Sequence, residues 1–385
     1  MVVSFVAASL AVPLVCVALS SRADDQASEA QPVERLTLLR LLTAPGDVVD
    51  ADGVRRPVAE LSGITWLGGA SYAAVMDGSD RLLVLDVDVG PDTDTDAVPP
   101  TVVYKGTVEL DRRRDWEDIA THPGEGRSRR WFLVEEDTPA VRGFVATDAE
   151  APGNALAPLR HVGAVSLAIP FRTARPNRGP EGLALEPDGR RLWTVNEEPL
   201  SRDGPAVAEG VSGRVRLVGL DVDPNSGLGE ASDPVSTRRE VVYEVDPPHA
   251  RVGLPGGPLY SGVVALVALG EGRLIVLERS AAAGVPPFEN RFYLVDTTTA
   301  GEARDIDGEL GSPDVTPVAK GLLWKGALGV NLEGICVGPR LPDGSVLIVG
   351  VADNGAEGTG EPKPNPFALF RLTDQPTDGN VITGR

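Results

Sequence analysis

The chain of 385 residues carries 56 acidic against 36 basic side chains, a formal charge of -20, with 42% hydrophobic residues. An acidic excess of this size repels a phosphate backbone, which needs a basic face to release its counterions, so nucleic acid is excluded as a partner. The 44 Gly and 33 Pro are spread between short apolar runs, a pattern that suits many short strands and no long helix.

The chain opens on an apolar run at 5–19, too short to span a bilayer and of signal-peptide length, followed by Ser21-Arg22-Ala23 as a small-residue cleavage site. The reading is a signal peptide over 1–23, a linker over 24–34, a domain over 35–375 and a tail over 376–385. Export to the periplasm or exterior is expected, with no transmembrane span in the mature chain. Anchoring through Cys16 is the less favoured reading, because Val15 stands where a lipoprotein signal prefers a small residue. Removal of the signal leaves Cys336 as the sole thiol, so no internal disulfide is available, and its apolar surroundings make it a small buried hydrophobe.

From residue 35 on, strands dominate. RLTLLRLLT (35–43) reads as a strand with no partner of its own. Five copies of one phrase then follow, each a strand, a turn and a second strand ending in a carboxylate: LSGITWLGGASYAAVMD (61–77), WEDIATHPGEGRSRRWFLVEE (116–136), PEGLALEPDGRRLWTVNEE (180–198), YSGVVALVALGEGRLIVLER (260–279) and LEGICVGPRLPDGSVLIVGVAD (332–353). Gly-rich turns such as Asp188-Gly189 and Asp343-Gly344 supply the positive φ of tight hairpins. Third strands are expected at 81–87, 141–147, 214–222, 291–297 and 367–373. Fourth strands are expected at 101–110, 160–171, 239–245 and 318–328, and the orphan 35–43 completes the last unit. An all-β fold follows: a β-propeller of five blades by repeat count, six remaining open, its last blade closed by an N-terminal strand. A pair of β-sandwiches also uses short strands, but does not ordinarily repeat an internal phrase.

In an antiparallel hairpin the start of the first strand and the end of the second share one end. Ser62, Glu117, Glu181, Ser261 and Glu333 should therefore meet Asp77, Glu135, Glu136, Glu197, Glu198, Glu278 and Asp353 at one mouth of the channel. Like charges gathered there demand protons, arginines such as Arg178, Arg202 and Arg279, or a metal. Hard oxygen donors without His or Cys point to Ca²⁺. The alternative is that these carboxylates cap turns and pair with Arg. Asp92, Asp94 and Asp96, and likewise Asp221, Asp223 and Asn225, imitate a calcium loop but lack its Gly and distal Glu, and read as turns. His122, His161 and His249 share no zinc-binding spacing. There is no Gly-x-Ser-x-Gly elbow, P-loop or dinucleotide fingerprint.

Gly179-Pro180-Glu181-Gly182-Leu183-Ala184 followed by Trp193-Thr194-Val195-Asn196-Glu197-Glu198 resembles the signature of the phytase-like family named for its "esterase-like activity of phytase". Leu61-Ser62-Gly63-Ile64, Asp115-Trp116-Glu117-Asp118-Ile119, Leu277-Glu278-Arg279, Leu332-Glu333-Gly334-Ile335 and Ala352-Asp353-Asn354 are similar to its other landmarks, over about 58–373. The resemblance implies an exported bacterial propeller with hydrolytic activity on ester or phosphoester bonds, and no agreed catalytic residues. The β-propeller phytases to which the family name alludes have six blades, and hold phosphate with clustered Ca²⁺ and with Lys and Arg. This chain has four lysines.

Three functions are therefore carried forward. In a Ca²⁺-assisted hydrolase, Glu181, Glu197, Glu333, Asp353, Asp77 and Glu278 would hold metal. Glu117 or Glu136 would be general base, Arg279 would stabilise developing charge, and Arg178, Asn196 and Asn354 would bind a small-molecule ester or phosphoester. The second is a non-catalytic ligand- or protein-binding propeller. The third is a lactonase-type metal-dependent hydrolase using Asn196 and Asn354. A monomer is expected.

Overall fold

A computed structural model describes residues 33–90, 99–122, 129–147, 157–167, 171–222, 238–249, 259–284, 286–303, 310–311, 315–356 and 362–375. The signal segment, Cys16, the tail, the turn at 123–126 and the first calcium-loop imitation lie outside them, as do Asp223 and Asn225 of the second. No helix among the described residues is long and apolar enough to cross a membrane.

Within the unit Glu34–Gln375, five four-stranded antiparallel sheets follow one another. Blade 1 comprises β4 (Leu61–Gly68), β5 (Ser71–Met76), β6 (Ser79–Asp88) and β7 (Thr101–Arg114). Blade 2 comprises β8 (Trp116–His122), β9 (Arg130–Glu135), β10 (Ala140–Ala146) and β11 (Leu159–Ser166). Blade 3 comprises β12 (Pro180–Leu185), β13 (Arg191–Asn196), β14 (Gly213–Asp221) and β15 (Arg238–Val245). Blade 4 comprises β16 (Leu259–Gly270), β17 (Arg273–Ala282), β18 (Phe288–Asp296) and β19 (Lys320–Gly326). Blade 5 comprises β20 (Asn331–Arg340), β21 (Val346–Asp353), β22 (Asn365–Gln375) and, on its outer edge, β1 (Val33–Ala44). The orphan strand thus completes the last blade. Blade 2 stops its fourth strand five residues early, and Phe171 N–H turns back to Leu167 O.

The first strands form the ring: β4 packs on β8, β8 on β12, β12 on β16, β16 on β20, and β20 on β4. There is no single core. Each pair of neighbouring blades encloses its own apolar cluster, for example Trp116, Trp131 and Phe144 between blades 1 and 2, and Phe292 and Phe370 between blades 4 and 5. Cys336 is buried in the cluster between blades 5 and 1, where desolvation pushes its thiol pKa up. Strands buried on both faces explain the near-continuous apolar runs of β17 and β21.

A short hairpin, β2 (Asp47–Val49) with β3 (Arg55–Pro57), had no signal in the sequence pattern. Its Asp50 accepts from Thr107 N–H at 2.6 Å and Thr107 Oγ at 2.8 Å. The outer strand β7 is thereby covered at a point where an unpaired edge would invite another chain.

Candidate active site at the acidic mouth

One backbone feature positions the site. In every first strand the pairing register slips by one residue near the strand start: between Leu61 and Gly63, Trp116 and Asp118, Pro180 and Leu183, Val263 and Ala265, and Leu332 and Gly334. A bulge re-aims the extra side chain and twists the strand locally. The bulged residues are Ser62, Glu117, Glu181 with Gly182, Val264 and Glu333. At and just past the bulge the ring is tight, since a Cβ on Gly63 would lie 2.5 Å from Asp118 Cα, and one on Gly182 3.0 Å from Ala265 Cα.

The register also sorts the second strands. The residues paired with the position before each bulge are Met76, Glu135, Asn196, Glu278 and Ala352. Those immediately after them are Asp77, Glu136, Glu197, Arg279 and Asp353. Because side chains alternate along a strand, only one of these two sets can face the mouth. Asp77, Glu136, Glu197, Arg279 and Asp353 do so, and electrostatic neighbours tie them to Glu117, Glu181 and Glu333. The expectation that the acidic tips of separate blades converge holds.

The other set is spent on structure. Glu278 is a correction: it accepts from Lys320 Nζ at 2.7 Å, Tyr243 OH at 2.6 Å and Asp246 N–H at 3.1 Å, between blades 3 and 4. Arg279 takes its place in the ring. Ser261 is likewise displaced by Val264, because blade 4 bulges three residues later than the phrase alignment implies. Glu135 pairs with Arg114 at 2.6 Å and Arg142 at 2.5 Å. Asn196 accepts from Arg216 N–H at 2.9 Å and donates to Glu198 O. Asn354 accepts from Ala356 N–H at 3.1 Å and donates to Asn365 Oδ1 at 2.9 Å and to Lys363 O at 3.1 Å. Asn196 is fully buried, and both asparagines hold loops of their own blades. Arg202 lies 3.9 Å from Asp203, in the blade 3 network around Arg216.

Two arginines neutralise one side of the mouth. Arg279 reaches Glu197 at 2.6 Å, Glu333 at 2.5 Å and Asn331 Oδ1 at 2.8 Å. Arg178 reaches Glu197 at 3.1 Å and Glu198 at 3.0 Å. Both guanidinium groups lie over the Tyr260 ring, Arg178 at 4.7 Å and Arg279 at 5.3 Å from its centroid. On the other side, Asp77, Asp115 and Glu117 bring one carboxylate oxygen each within 4.8 Å of one another. Asp115, just ahead of β8, stands where blade 1 has Glu60 and blade 3 has Gly179, each carbonyl accepting from the N–H that follows the second strand; it lies one residue ahead of the phrase, so the repeat pattern did not mark it.

Burial raises carboxylates on both sides of the mouth. Desolvation, then hydrogen bonding and repulsion from Asp115, raise Asp77 to about 7. Desolvation pushes Glu117 and Glu181 well above the usual carboxylate range, with the charge of Asp115 adding to it at Glu117 and that of Glu117 at Glu181. Glu136, whose carboxylate accepts from Gly179 N–H, and Glu333 are also raised to about 7, mainly by burial.

The family model described as phytase-like, esterase-like activity of phytase, matches residues 56–356. The chain belongs to the phytase-like family. No curated protein matches this phytase-like chain. Among solved structures it is similar to a PQQ-bound aldose sugar dehydrogenase from Streptomyces coelicolor (12% identity, 89% of this chain and 99% of that chain covered, TM-score 0.39). It is also similar to the Nup133 β-propeller domain of Vanderwaltozyma polyspora (10%, 90% and 83%, TM-score 0.37). A third is an α-L-arabinofuranosidase of Podospora anserina in complex with cellotriose (11%, 88% and 98%, TM-score 0.36). At such distances nothing about the phytase-like chain's chemistry follows from them.

The donor set of the phytase-like mouth suits a hard divalent cation. Ligand oxygens at about 2.3–2.6 Å from one Ca²⁺ lie at most about 5 Å apart, and the trio of Asp77, Asp115 and Glu117 satisfies that limit. The charge that acts most strongly on both Asp77 and Glu117 is Asp115, with Asp353 and Glu333 acting more weakly on Asp77 and Glu117 respectively. Glu197 and Glu333, expected as ligands, are instead bridged by Arg279.

Proposed function

We propose that this phytase-like chain is a calcium-assisted hydrolase of ester or phosphoester bonds, working at the acidic mouth of the propeller. The observation that carries the reading is the trio Asp77, Asp115 and Glu117, held within 4.8 Å beside a half-ring already neutralised by arginine. These three hold the cation, with Asp353 and Glu181 adjoining. A bound cation supplies Lewis-acid polarisation of a phosphoryl or carbonyl oxygen. Glu136, raised to about 7, is the general base, since a group titrating near the working pH is both ionised and basic enough to take a proton. Arg178, with 24% of its side chain exposed, is the cation that meets the substrate. Arg279, 6% exposed and clamped between Glu197 and Glu333, keeps the neutralised half in place. The lactonase-type reading loses its two asparagines to internal hydrogen bonds.

The test combines calcium calorimetry with hydrolysis of a chromogenic phosphomonoester and a short acyl ester, with calcium and with chelator. Asp115→Asn and Glu117→Gln should each weaken calcium binding about tenfold or more, as loss of a charged ligand does, and Glu136→Gln should lower turnover about a hundredfold at unchanged calcium affinity. Absence of both turnover and calcium heat in the wild-type protein would leave the non-catalytic propeller standing.

A further inference from the structure

Tyr260 stands at the mouth with no part in the carboxylate pattern, and the late bulge of blade 4 puts it there. In the other four blades the residue that opens the phrase, Leu61, Trp116, Pro180 or Leu332, is paired just before the bulge and buried in the ring. In blade 4 the pairing slips only between Val263 and Ala265. Strand β16 therefore carries its opening tyrosine further toward the mouth, opposite Ala281 and beyond the level of Arg279, where the side chain is partly exposed.

Alternation along the strand fixes its direction. Gly262 lies on the same face of β16 as Tyr260, and a Cβ on it would lie 2.6 Å from Glu197 Cγ. The Tyr260 ring accordingly lies on the side of blade 3, under the guanidinium groups of Arg178 and Arg279. Cation–π contacts hold a ring without using its hydroxyl. That hydroxyl has no hydrogen-bond partner among the described residues, and the charges acting on it are those of Arg279, Glu197, Arg178 and Glu333. Burial pushes the phenol pKa up and the two arginines pull against it. The group keeps its proton at neutral pH, and a phenolate formed there would be met by two cations.

We propose that Tyr260 is the general acid of the hydrolysis, its hydroxyl protonating the leaving oxygen of an ester held by Arg178. The assignment rests on the hydrolase reading. Arg178 acts on both Glu136 and Tyr260, so base and acid share the cation that meets the substrate. Water attacks the acyl carbon or the phosphorus and gives a proton to Glu136; the bond to the leaving oxygen breaks, and that oxygen takes the phenol proton as it departs. The phenolate regains a proton from solvent and Glu136 releases one, so one water is consumed and the enzyme is restored. The substrates this favours are esters of aliphatic alcohols, whose alkoxides leave only when protonated.

The experiment compares an alkyl ester with the 4-nitrophenyl ester of the same acid, since 4-nitrophenolate departs without a proton. Tyr260→Phe keeps the ring beneath both arginines and removes only the hydroxyl. It should lower kcat on the alkyl ester about a hundredfold or more and leave kcat on the 4-nitrophenyl ester within about threefold, at unchanged calcium affinity and melting temperature. An equal loss on both esters, no loss on either, or wild-type turnover confined to the 4-nitrophenyl ester overturns the acid assignment and leaves the hydrolase reading in place. Wild-type protein inactive on every ester and phosphoester overturns both. Should Tyr260→Phe melt below the wild type, 3-fluorotyrosine placed at position 260 alone decides, being a stronger acid of nearly the same shape. It should move the alkaline limb of the alkyl-ester rate to lower pH, and an unmoved limb overturns the proposal.

Discussion

Asp118 shows how much one buried carboxylate can organise. It is fully buried at the neck of the channel, accepting from Ile119 N–H at 2.8 Å and from Leu183 N–H at 2.7 Å on the neighbouring blade. It fits there because Gly63 opposite has no side chain to meet it. Asp118→Asn turns one acceptor into a donor facing an N–H, and should cost about 2 kcal/mol in denaturant unfolding. Glu278 provides the complementary test. Glu278→Gln should lower stability by about 2 kcal/mol through its bonds to Lys320 and Tyr243, yet leave calcium affinity unchanged. A drop in calcium affinity would return Glu278 to the site. Side chains of this kind were partly legible in the sequence: the acidic phrase endings pointed to the mouth, but not to which of Glu278 and Arg279 faces it.

At the scale of elements, the repeated hairpin and the orphan strand were readable because strand runs and Gly turns are local signals. The bulges were not. A slip of one residue reflects how neighbouring first strands pack, and no residue type announces it in Val263, Val264 and Ala265. The hairpin of β2 and β3 was invisible for a similar reason, being three residues per strand and held by Asp50 to a strand some fifty residues away. The outer strand β1 carries its own prediction. Leu36, 3% exposed, belongs to the cluster between blades 4 and 5 with Phe292 and Phe370. Removing residues 33–44 should strip that cover and leave β22 an open edge, giving aggregation in size-exclusion chromatography in place of one cooperative unfolding transition. A monodisperse, fully stable truncated protein would show that closure of the last blade is dispensable.

For the whole molecule, the acidic mouth couples stability to pH. Asp77, Glu136 and Glu333 are raised to about 7 in the fold, against roughly 4 when unfolded. Between those values the folded state binds more protons, so their stabilising contribution is complete below about pH 4 and is lost as pH rises through about 7. In chelator, the melting temperature should therefore fall from pH 5 to pH 8, and calcium should raise it most at pH 8, where the carboxylates are ionised and metal no longer competes with protons. A melting temperature that climbs over the same range, with or without calcium, would contradict the electrostatics of the mouth.

The amino-acid sequence by itself determined the architecture: strand periodicity, turn chemistry and a fivefold phrase act over a few residues, and each copy carries its own hairpin. It also determined that acidic groups gather at one mouth, because the ends of a hairpin meet whatever else the fold does. Only the tertiary structure decided which of them form a site. Arg279 against Glu197 and Glu333, and Asp115 beside Asp77 and Glu117, are encounters between blades, and Coulomb interactions and desolvation depend on distances that exist only once the ring has closed.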